Sequence, residues 1–322
     1  MEKNKENLSK LIVMCGLQCS GKSTKAKETQ KEYNAIILSS DNIRLDNPDW
    51  DNGKVFNQLH NDMNDYLNIN KNVIVDATNI NIKMRQQLFA NIKEDCYKIC
   101  FIMNTPYEDC YSRLVERNNS DYPNKIPVEV LDKYVRMFEI PFYEEGWDEI
   151  HLINHPDSLK TITNLNQLMR NTDTFNQHNQ HHTQSLGQHL FNTRRYIESK
   201  TNNIILQEAA KYHDIGKLFT QSYKKDDPNA HYYNHANIGT YALMYGAGIH
   251  FEDGSFDEKS TLEWLFYINY HMKKYEITTE KAIEKYKKIF GEEKFNNLNL
   301  LNEADSNRPT NYLNTDYETK NN

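Results

Sequence analysis

The sequence predicts two folds in series: an α/β domain built on a five-stranded parallel sheet with helices on both faces, then an all-α domain. Three observations predict this. Short apolar runs alternate with helix-like stretches through residue 153, and from about residue 160 the pattern becomes wholly helical with no convincing strand. The two halves also differ in chemistry: one of the twelve histidines, His60, precedes residue 150, whereas all five cysteines (Cys15, Cys19, Cys96, Cys100, Cys110) do. The expected division is 1–156 and 157–322, and a chain of 322 residues is long enough for each part to bury its own core.

The expected strands are Leu11–Met14, Ala35–Leu38, Val73–Val75, Ile99–Met103 and Ile150–Ile153. Runs this short and continuously apolar suit a sheet covered on both faces. Ligands of such sheets gather beyond the carboxyl ends of the strands, so the residues after each run carry the chemistry.

Behind the first run stands Gly16-Leu17-Gln18-Cys19-Ser20-Gly21-Lys22-Ser23-Thr24, a strand, glycine loop and helix start in the order a phosphate-binding loop requires. Glycines let backbone amides curl around phosphate oxygens, and the helix N-terminus adds partial positive charge. Gly16, Ser20, Gly21, Lys22, Ser23 and Thr24 are the expected nucleotide contacts, with Lys22 on the β- and γ-phosphates and Ser23 on Mg²⁺. Behind the second run, Asp41 offers a carboxylate to an attacking hydroxyl, and Arg44, one turn on, can hold an anionic part of the acceptor. An Asp in that position also reads as a helix N-cap. Behind the third, Asp76 can support Ser23 and the metal, with a cap or turn as the plainer role; Thr78, Asn79 and Arg85 are expected at the substrate. Behind the fourth, a helix opening at Pro106 carries Arg113 and Arg117 four residues apart on one face. Over the nucleotide they would neutralise developing charge; otherwise they form a solvated helix face.

In the second half, His213-Asp214 is followed by Gly216, and adjacent His and Asp converge on one ion where a helix bends or ends. His189 lies upstream, and His235, His271 and Asp305 lie downstream. Imidazole with carboxylate suits one or two divalent transition metals, among Mn, Fe, Ni, Co and Zn. His178, His181, His182, His231 and His250 read as loop or cap residues. His182 competes with His189 for the upstream role, and His189 is preferred because Leu186, Leu190 and Ile197 give its segment helical spacing.

Composition narrows the classes. Hydrophobic residues make up 38% and the mean hydropathy is -0.85, with no apolar run of membrane-spanning length. The N-terminal residues carry no apolar signal core, so the expectation is a cytoplasmic protein with reduced thiols and no membrane partner. A net charge of -7 opposes broad binding to duplex nucleic acid, yet leaves room to grip one nucleic-acid end through local cations.

Taken in order, GLQCSGKST, SSDNIR, DATNIN with Arg85, PYEDCYSRLVERN and IPVEVL at Ile126–Leu131 resemble the phage-type polynucleotide 5′-kinase family of P-loop kinases, over about residues 10–153. The resemblance implies that Lys22 and Ser23 bind ATP·Mg²⁺ and that Asp41 is the general base on a 5′-hydroxyl. It implies too that Arg44 binds the phosphate next to the accepting nucleotide and that Arg117 is a lid arginine. Where the family often has further basic residues after the RN pair, Asn119-Ser120-Asp121 follow here, leaving Arg113 as the other lid candidate.

The H…HD…H…H…D order, with HHTQSLGQHL at 181–190, HDIGK at 213–217, HYYNHANIG at 231–239 and NEAD at 302–305, resembles the HD superfamily of metal-dependent phosphohydrolases. This implies His189, His213, Asp214 and Asp305 as ligands of a first metal, His235 and His271 as completing a second or touching substrate phosphate, and Lys217 as holding a phosphoryl oxygen. The pair of domains resembles bifunctional end-healing enzymes. These phosphorylate 5′-hydroxyl ends, remove 3′- or 2′,3′-cyclic phosphates, act on RNA ends ahead of DNA, and serve a nucleic-acid ligase. Two other functions fit the same residues: a kinase of nucleosides or other small molecules fused to an HD nucleotide phosphohydrolase, or a sensor of nucleotides or RNA ends with one domain inactive. The intact Lys22, Ser23 and Asp41 set and the complete metal set oppose the sensor.

Overall fold

The computed structural model describes residues 8–93, 95–154, 165–178, 184–244 and 257–306. His181, His182 and His250 lie outside these residues. The chain divides into two compact units, residues 1–163 with 241–262, and residues 164–240 with 263–322. Residues 241–262 thus group with the first unit although they follow much of the second in sequence.

In the first unit the elements are β1 Lys10–Cys15, α1 Lys22–Tyr33, β2 Ala35–Ser39, α2 Ser40–Asp46, α3 Asn52–Asn68, β3 Asn72–Asp76, α4 Ile82–Ala90, β4 Tyr97–Asn104, α5 Tyr107–Asn119, α6 Val128–Arg136 and β5 Glu149–Asn154. All five expected strands form one parallel sheet in the order β2-β3-β1-β4-β5, with Val13 beside Val75 on one side and Cys100 on the other. The chain leaves β1 for the edge strand β2, returns to β3 and then crosses to β4 on the other side of β1, so the connections change direction beside β1, the topological switch point where a crevice opens. Leu11, Ile12, Val13 and Met14 have no exposed surface, and Ile12 and Met14 pack with Ile74, Ile99, Phe101 and Ala26 in the core. Branched and long apolar side chains on a twice-covered strand explain why the runs lack alternation.

The cap of α2 separates two roles for one motif. The Ser39 hydroxyl accepts from the Asn42 amide at 3.4 Å, so Ser39 rather than Asp41 caps this helix and the Asp41 carboxylate is released from that duty.

Arg85 is a correction. Expected at the substrate, it is fully buried on α4, where its Nη2 meets Glu145 Oε1 at 2.6 Å and its Nε donates to Glu145 Oε2 at 2.7 Å. Its Nη1 also donates to the carbonyls of Asn79 and Glu139. A guanidinium engaged this fully has a structural task. Arg85→Met strands the Glu145 carboxylate in the interior, and urea unfolding should show a loss of about 3–5 kcal/mol. Adding Glu145→Gln to that variant should recover part of the loss.

In the second part of the chain the elements are α7 Leu165–Asp173, α8 Leu186–Lys200, α9 Ile204–Tyr212, α10 Lys217–Thr220, β6 Ser222–Tyr223, β7 Ala230–His231, α11 His235–Met244, α12 Glu258–Tyr270, a 3₁₀ turn His271–Tyr275, α13 Glu280–Phe290 and α14 Glu292–Ser306. The domain is helical as expected, with Leu186, Leu190 and Ile197 of α8 and Ala209 and Ala210 of α9 fully buried. Phe290 lies edge-on to Phe266 at 5.2 Å. The expectation of no strands fails at one place: β6 and β7 form an antiparallel pair, Ser222 beside His231 and Tyr223 beside Ala230. Two-residue strands are too short to leave a period-2 pattern. Among the described residues, no helix is long and apolar enough to cross a membrane.

Candidate functional site

The loop between β1 and α1 is built by two glycines and one strained cysteine. A Cβ on Gly16 would stand 2.9 Å from both Met103 Cβ and Ser20 Oγ, so only glycine fits beside β4. Gly21 precedes α1 at φ +91, and Cys19 holds φ +59, both in the left-handed region that turns successive amides inward. The Gly16 amide donates to the Thr78 carbonyl at 3.0 Å, tying the loop to the end of β3. Lys22 Nζ donates to the Leu17 carbonyl at 2.6 Å, and burial lowers its pKa while the Asp76 charge works against that. The Ser23 hydroxyl donates to Asp76 Oδ2 at 2.6 Å, joining the two groups a nucleotide-bound Mg²⁺ needs. The Ser20 hydroxyl is buried without a hydrogen-bond partner among the described residues. An orphaned donor inside a ring of amides fits a phosphate oxygen.

A cavity of about 910 Å³ extends from this loop, including Gly21, Lys22, Ser23 and Thr24, past Asp76 and Thr78 to Asp41, Arg44, Phe56 and Tyr134. That volume suits a nucleotide-sized ligand. Asp41 Oδ1 accepts from Arg44 Nη1 at 3.1 Å, and Arg117 Nη2 lies 3.8 Å from Asp41 Oδ2. Arg44 is steadied from the far side by Asn52, its Nη2 donating to Oδ1 at 3.1 Å. Arg113 Nη1 reaches the Cys19 carbonyl at 3.4 Å and Arg117 reaches Asp41, so both arginines of α5 line the cavity. Asn79 also lines the cavity, but its Nδ2 donates to the Met14 carbonyl at 2.8 Å and its backbone sits at φ +44. It braces the end of β1. Phe56, His60 and Tyr134 of the cavity wall carry no motif and escape sequence inspection.

Residues 11–141 match the family model of an AAA domain. They carry β1 to β4 of the five-stranded parallel sheet and the glycine loop between β1 and α1. Among solved structures, a chain of the Pnkp1/Rnl/Hen1 RNA repair complex is 23% identical, the match covering 42% of this chain and 46% of that one at a TM-score of 0.38. This chain therefore spans less than half the length of that relative. A sugar kinase from Janibacter sp. HTCC2649 is 16% identical over 46% of this chain and 85% of its own, at a TM-score of 0.35. A gluconokinase from Sinorhizobium meliloti 1021 is 14% identical over 46% of this chain and 82% of its own, at 0.33.

The second unit gathers all six expected metal ligands into two groups that share one carboxylate. His189, His213, Asp214 and Asp305 present ligand atoms within 4.8 Å of one another, and so do Asp214, His235 and His271. His189 Nε2 stands 3.2 Å from Asp214 Oδ2 and 3.2 Å from Asp305 Oδ1. The other oxygen of Asp214 lies 2.9 Å from His235 Nε2 and 3.5 Å from His271 Nε2.

The tautomers are set from behind. Nδ1 of His213, His235 and His271 lies 2.9, 2.8 and 2.7 Å from the carbonyls of Ala210, Tyr232 and Ile268. Carbonyls only accept, so Nδ1 carries the hydrogen and Nε2 turns its lone pair inward. His235 and His271 Nε2 then face each other at 3.2 Å. Lone pairs at that separation call for a cation between them, so the donor set fits a divalent transition metal. Burial alone would raise the Asp214 carboxyl, but the Lys217 charge 2.6 Å away and the neighbouring imidazoles hold it well below the usual range. Burial likewise works against protonation of His189, yet hydrogen bonds to Asp214 and Asp305 push it up to about 9.

Gly216 acts differently from the helix ending read in the sequence. Its backbone is ordinary right-handed helix, but a Cβ there would stand 1.9 Å from the His235 carbonyl oxygen and 2.8 Å from the Gly239 nitrogen. Two glycines, Gly216 and Gly239, let the His213-Asp214 segment touch α11 backbone to backbone. Gly216→Ala must wedge the two ligand groups apart, and metal titration should show affinity lower by about 10–100-fold, as for lost ligand support elsewhere. Sequence inspection also missed Gln177, which accepts from Lys217 Nζ at 3.0 Å, and Lys274, whose Nζ lies 3.8 Å from Asp305 Oδ2.

Proposed function

We propose that this chain heals broken nucleic-acid ends at two separate centres, phosphorylating a 5′-hydroxyl in the first unit and removing a 3′- or 2′,3′-cyclic phosphate in the second. The observation that carries the first half is a single cavity with Lys22, Ser23 and Asp76 at one end and Asp41 between Arg44 and Arg117 at the other. A phosphate-binding end and a carboxylate end in one cavity suit in-line transfer between a nucleoside triphosphate and an acceptor hydroxyl.

In this scheme Lys22 exchanges the Leu17 carbonyl for the β- and γ-phosphates, and Ser23 with Asp76 holds Mg²⁺. When bound, that ion offsets charge on the phosphates. Asp41 takes the hydroxyl proton as the new O–P bond forms and the bond to the β-phosphate breaks, with ADP leaving. Arg117 offsets charge on the transferring group, and Arg44 holds the first phosphate of the acceptor strand.

In the second unit His189, His213, Asp214 and Asp305 would hold one divalent ion, and Asp214, His235 and His271 a second. Such ions supply Lewis acidity toward phosphate esters and lower the pKa of water. Lys217, buried against Asp214 at 2.6 Å, presents its ammonium to a phosphoryl oxygen. RNA is the substrate in this proposal because a 2′,3′-cyclic phosphate requires a 2′-hydroxyl. The resulting 5′-phosphate and 3′-hydroxyl ends are those a ligase consumes.

The test offers labelled ATP with 5′-hydroxyl oligonucleotides and with free nucleosides, and offers the second unit 3′-phosphorylated or cyclic-ended RNA beside free nucleotides. Label on oligonucleotides and loss of phosphate from RNA ends are the expected results. Label confined to nucleosides, or hydrolysis confined to free nucleotides, overturns the proposal.

A further inference from the structure

In the first unit, α5 ends in a clasp around one of its own arginines. Arg117 lies in the last turn of the helix, and residues 120–126 beyond it fold back over that turn. Asn118 latches the segment: its Nδ2 donates to the Ile126 carbonyl at 2.7 Å and its Oδ1 accepts from the Ile126 amide at 3.1 Å. One side-chain amide thus satisfies both backbone groups of Ile126, as a neighbouring strand would. Ser120 closes the other end, donating its hydroxyl to the Arg117 carbonyl at 2.7 Å and accepting the Tyr122 amide on the same oxygen at 3.2 Å.

Inside the clasp the guanidinium is held by its face and by its edge. Its Cζ lies 4.0 Å from the centre of the Tyr122 ring, well inside the roughly 6 Å reach of a cation–π contact. Its Nη2 donates to the Asn124 carbonyl at 2.9 Å and faces Asp41 Oδ2 at 3.8 Å. Nε is buried and has no hydrogen-bond partner among the described residues. An aromatic face grips a planar guanidinium without occupying any of its five donors, so donors are left for an incoming oxyanion.

The sequence gives Arg117 little cationic company. The six residues after Asn118 hold no lysine or arginine, and Arg113 commits Nη1 to the Cys19 carbonyl. An arginine that meets charge on a transferring group must be aimed before the charge develops, because turning it during the step would use up the stabilisation it supplies.

We propose that Tyr122 and Asn118 are positioning residues for phosphoryl transfer in the first unit, the ring and the latch holding Arg117 aimed into the cavity beside Asp41. This rests on the transfer proposal for that cavity and deepens it. The clasp acts where charge develops, whereas nucleotide binding falls to Lys22 and the amides of the glycine loop.

The test uses the full chain with ATP and a 5′-hydroxyl oligonucleotide. In Tyr122→Ala, kcat should fall about 3–30-fold, the span one cation–π contact covers, with KM for ATP unchanged. Tyr122→Phe keeps the ring face and should restore the parental kcat. Tyr122→Leu fills the space without a π face and should match Tyr122→Ala, and Asn118→Leu should lower kcat in the same way. In an Arg117→Ala background, adding Tyr122→Ala should change nothing further, because the ring acts only through the arginine. A parental kcat in Tyr122→Ala overturns the clasp, and so does a second loss of the same size once Arg117 is gone. Relaxation of the ¹⁵N-labelled Arg117 Nε–H group needs no acceptor: it should report order in the parent and Tyr122→Phe and motion in Tyr122→Ala. Equal order in all three overturns the clasp. If the parent phosphorylates neither oligonucleotides nor nucleosides, the transfer proposal falls, while relaxation still decides whether Tyr122 holds the arginine.

Discussion

Asp214→Asn is expected to empty both metal positions at once. Its two carboxylate oxygens face different ligand groups, Oδ2 toward His189 and His213 and Oδ1 toward His235 and His271. An amide keeps the shape but loses the charge and one acceptor, so metal analysis of the purified variant should find affinity reduced at least about 100-fold. Phosphate removal from RNA ends should vanish and 5′-phosphorylation should persist. His271→Ala gives the informative contrast, because it touches one group alone and should cost one equivalent of metal. Part of the Asp214→Asn effect will be structural: Lys217 is left as an unpaired buried cation, worth about 3–5 kcal/mol. Asp214→Asn with Lys217→Met should recover that stability without recovering metal, which separates the two causes.

The second large effect belongs to Asp41→Asn. With Ser39 as the helix cap, Asp41 is spare as a structural group and its removal should leave the fold intact. Loss of a general base lowers kcat by about 10²–10⁴-fold. Nucleotide affinity should be unchanged, since the Lys22 and Ser23 contacts lie at the other end of the cavity, and phosphate removal in the second unit should continue. A fall in nucleotide affinity as large as the fall in kcat would make Asp41 part of the nucleotide site and refute its role as base.

What could be read from the sequence was whatever is local or strictly ordered. The five strands are legible because buried parallel strands are continuous apolar runs, and the P-loop because its glycines, lysine and serine fall within nine residues directly behind a strand. The gathering of six histidines and aspartates is legible as a series, since each lies in a distinctive local phrase. Arg85 was misplaced because its fate is decided by Glu145, sixty residues away, and nothing near Arg85 announces a buried partner. The sharing of Asp214 between two groups was invisible for a similar reason: order along the chain says nothing of which oxygen faces which imidazole. Gly216 was noticed but assigned a conformational task, because the demand for a bare Cα comes from Gly239 and the His235 carbonyl on another helix. The β6–β7 pair was missed because its strands offer no period to detect.

In the proposed two-ion state, the single carboxylate shared by the two groups makes the positions thermodynamically inseparable. An ion drawing electron density from one Asp214 oxygen leaves the other a poorer donor, so the second ion binds with lower affinity than the first, and linkage requires the penalty to be the same whichever position fills first. Titration should therefore resolve two steps of unequal affinity even with one kind of metal, and conditions of scarcity select a singly loaded enzyme.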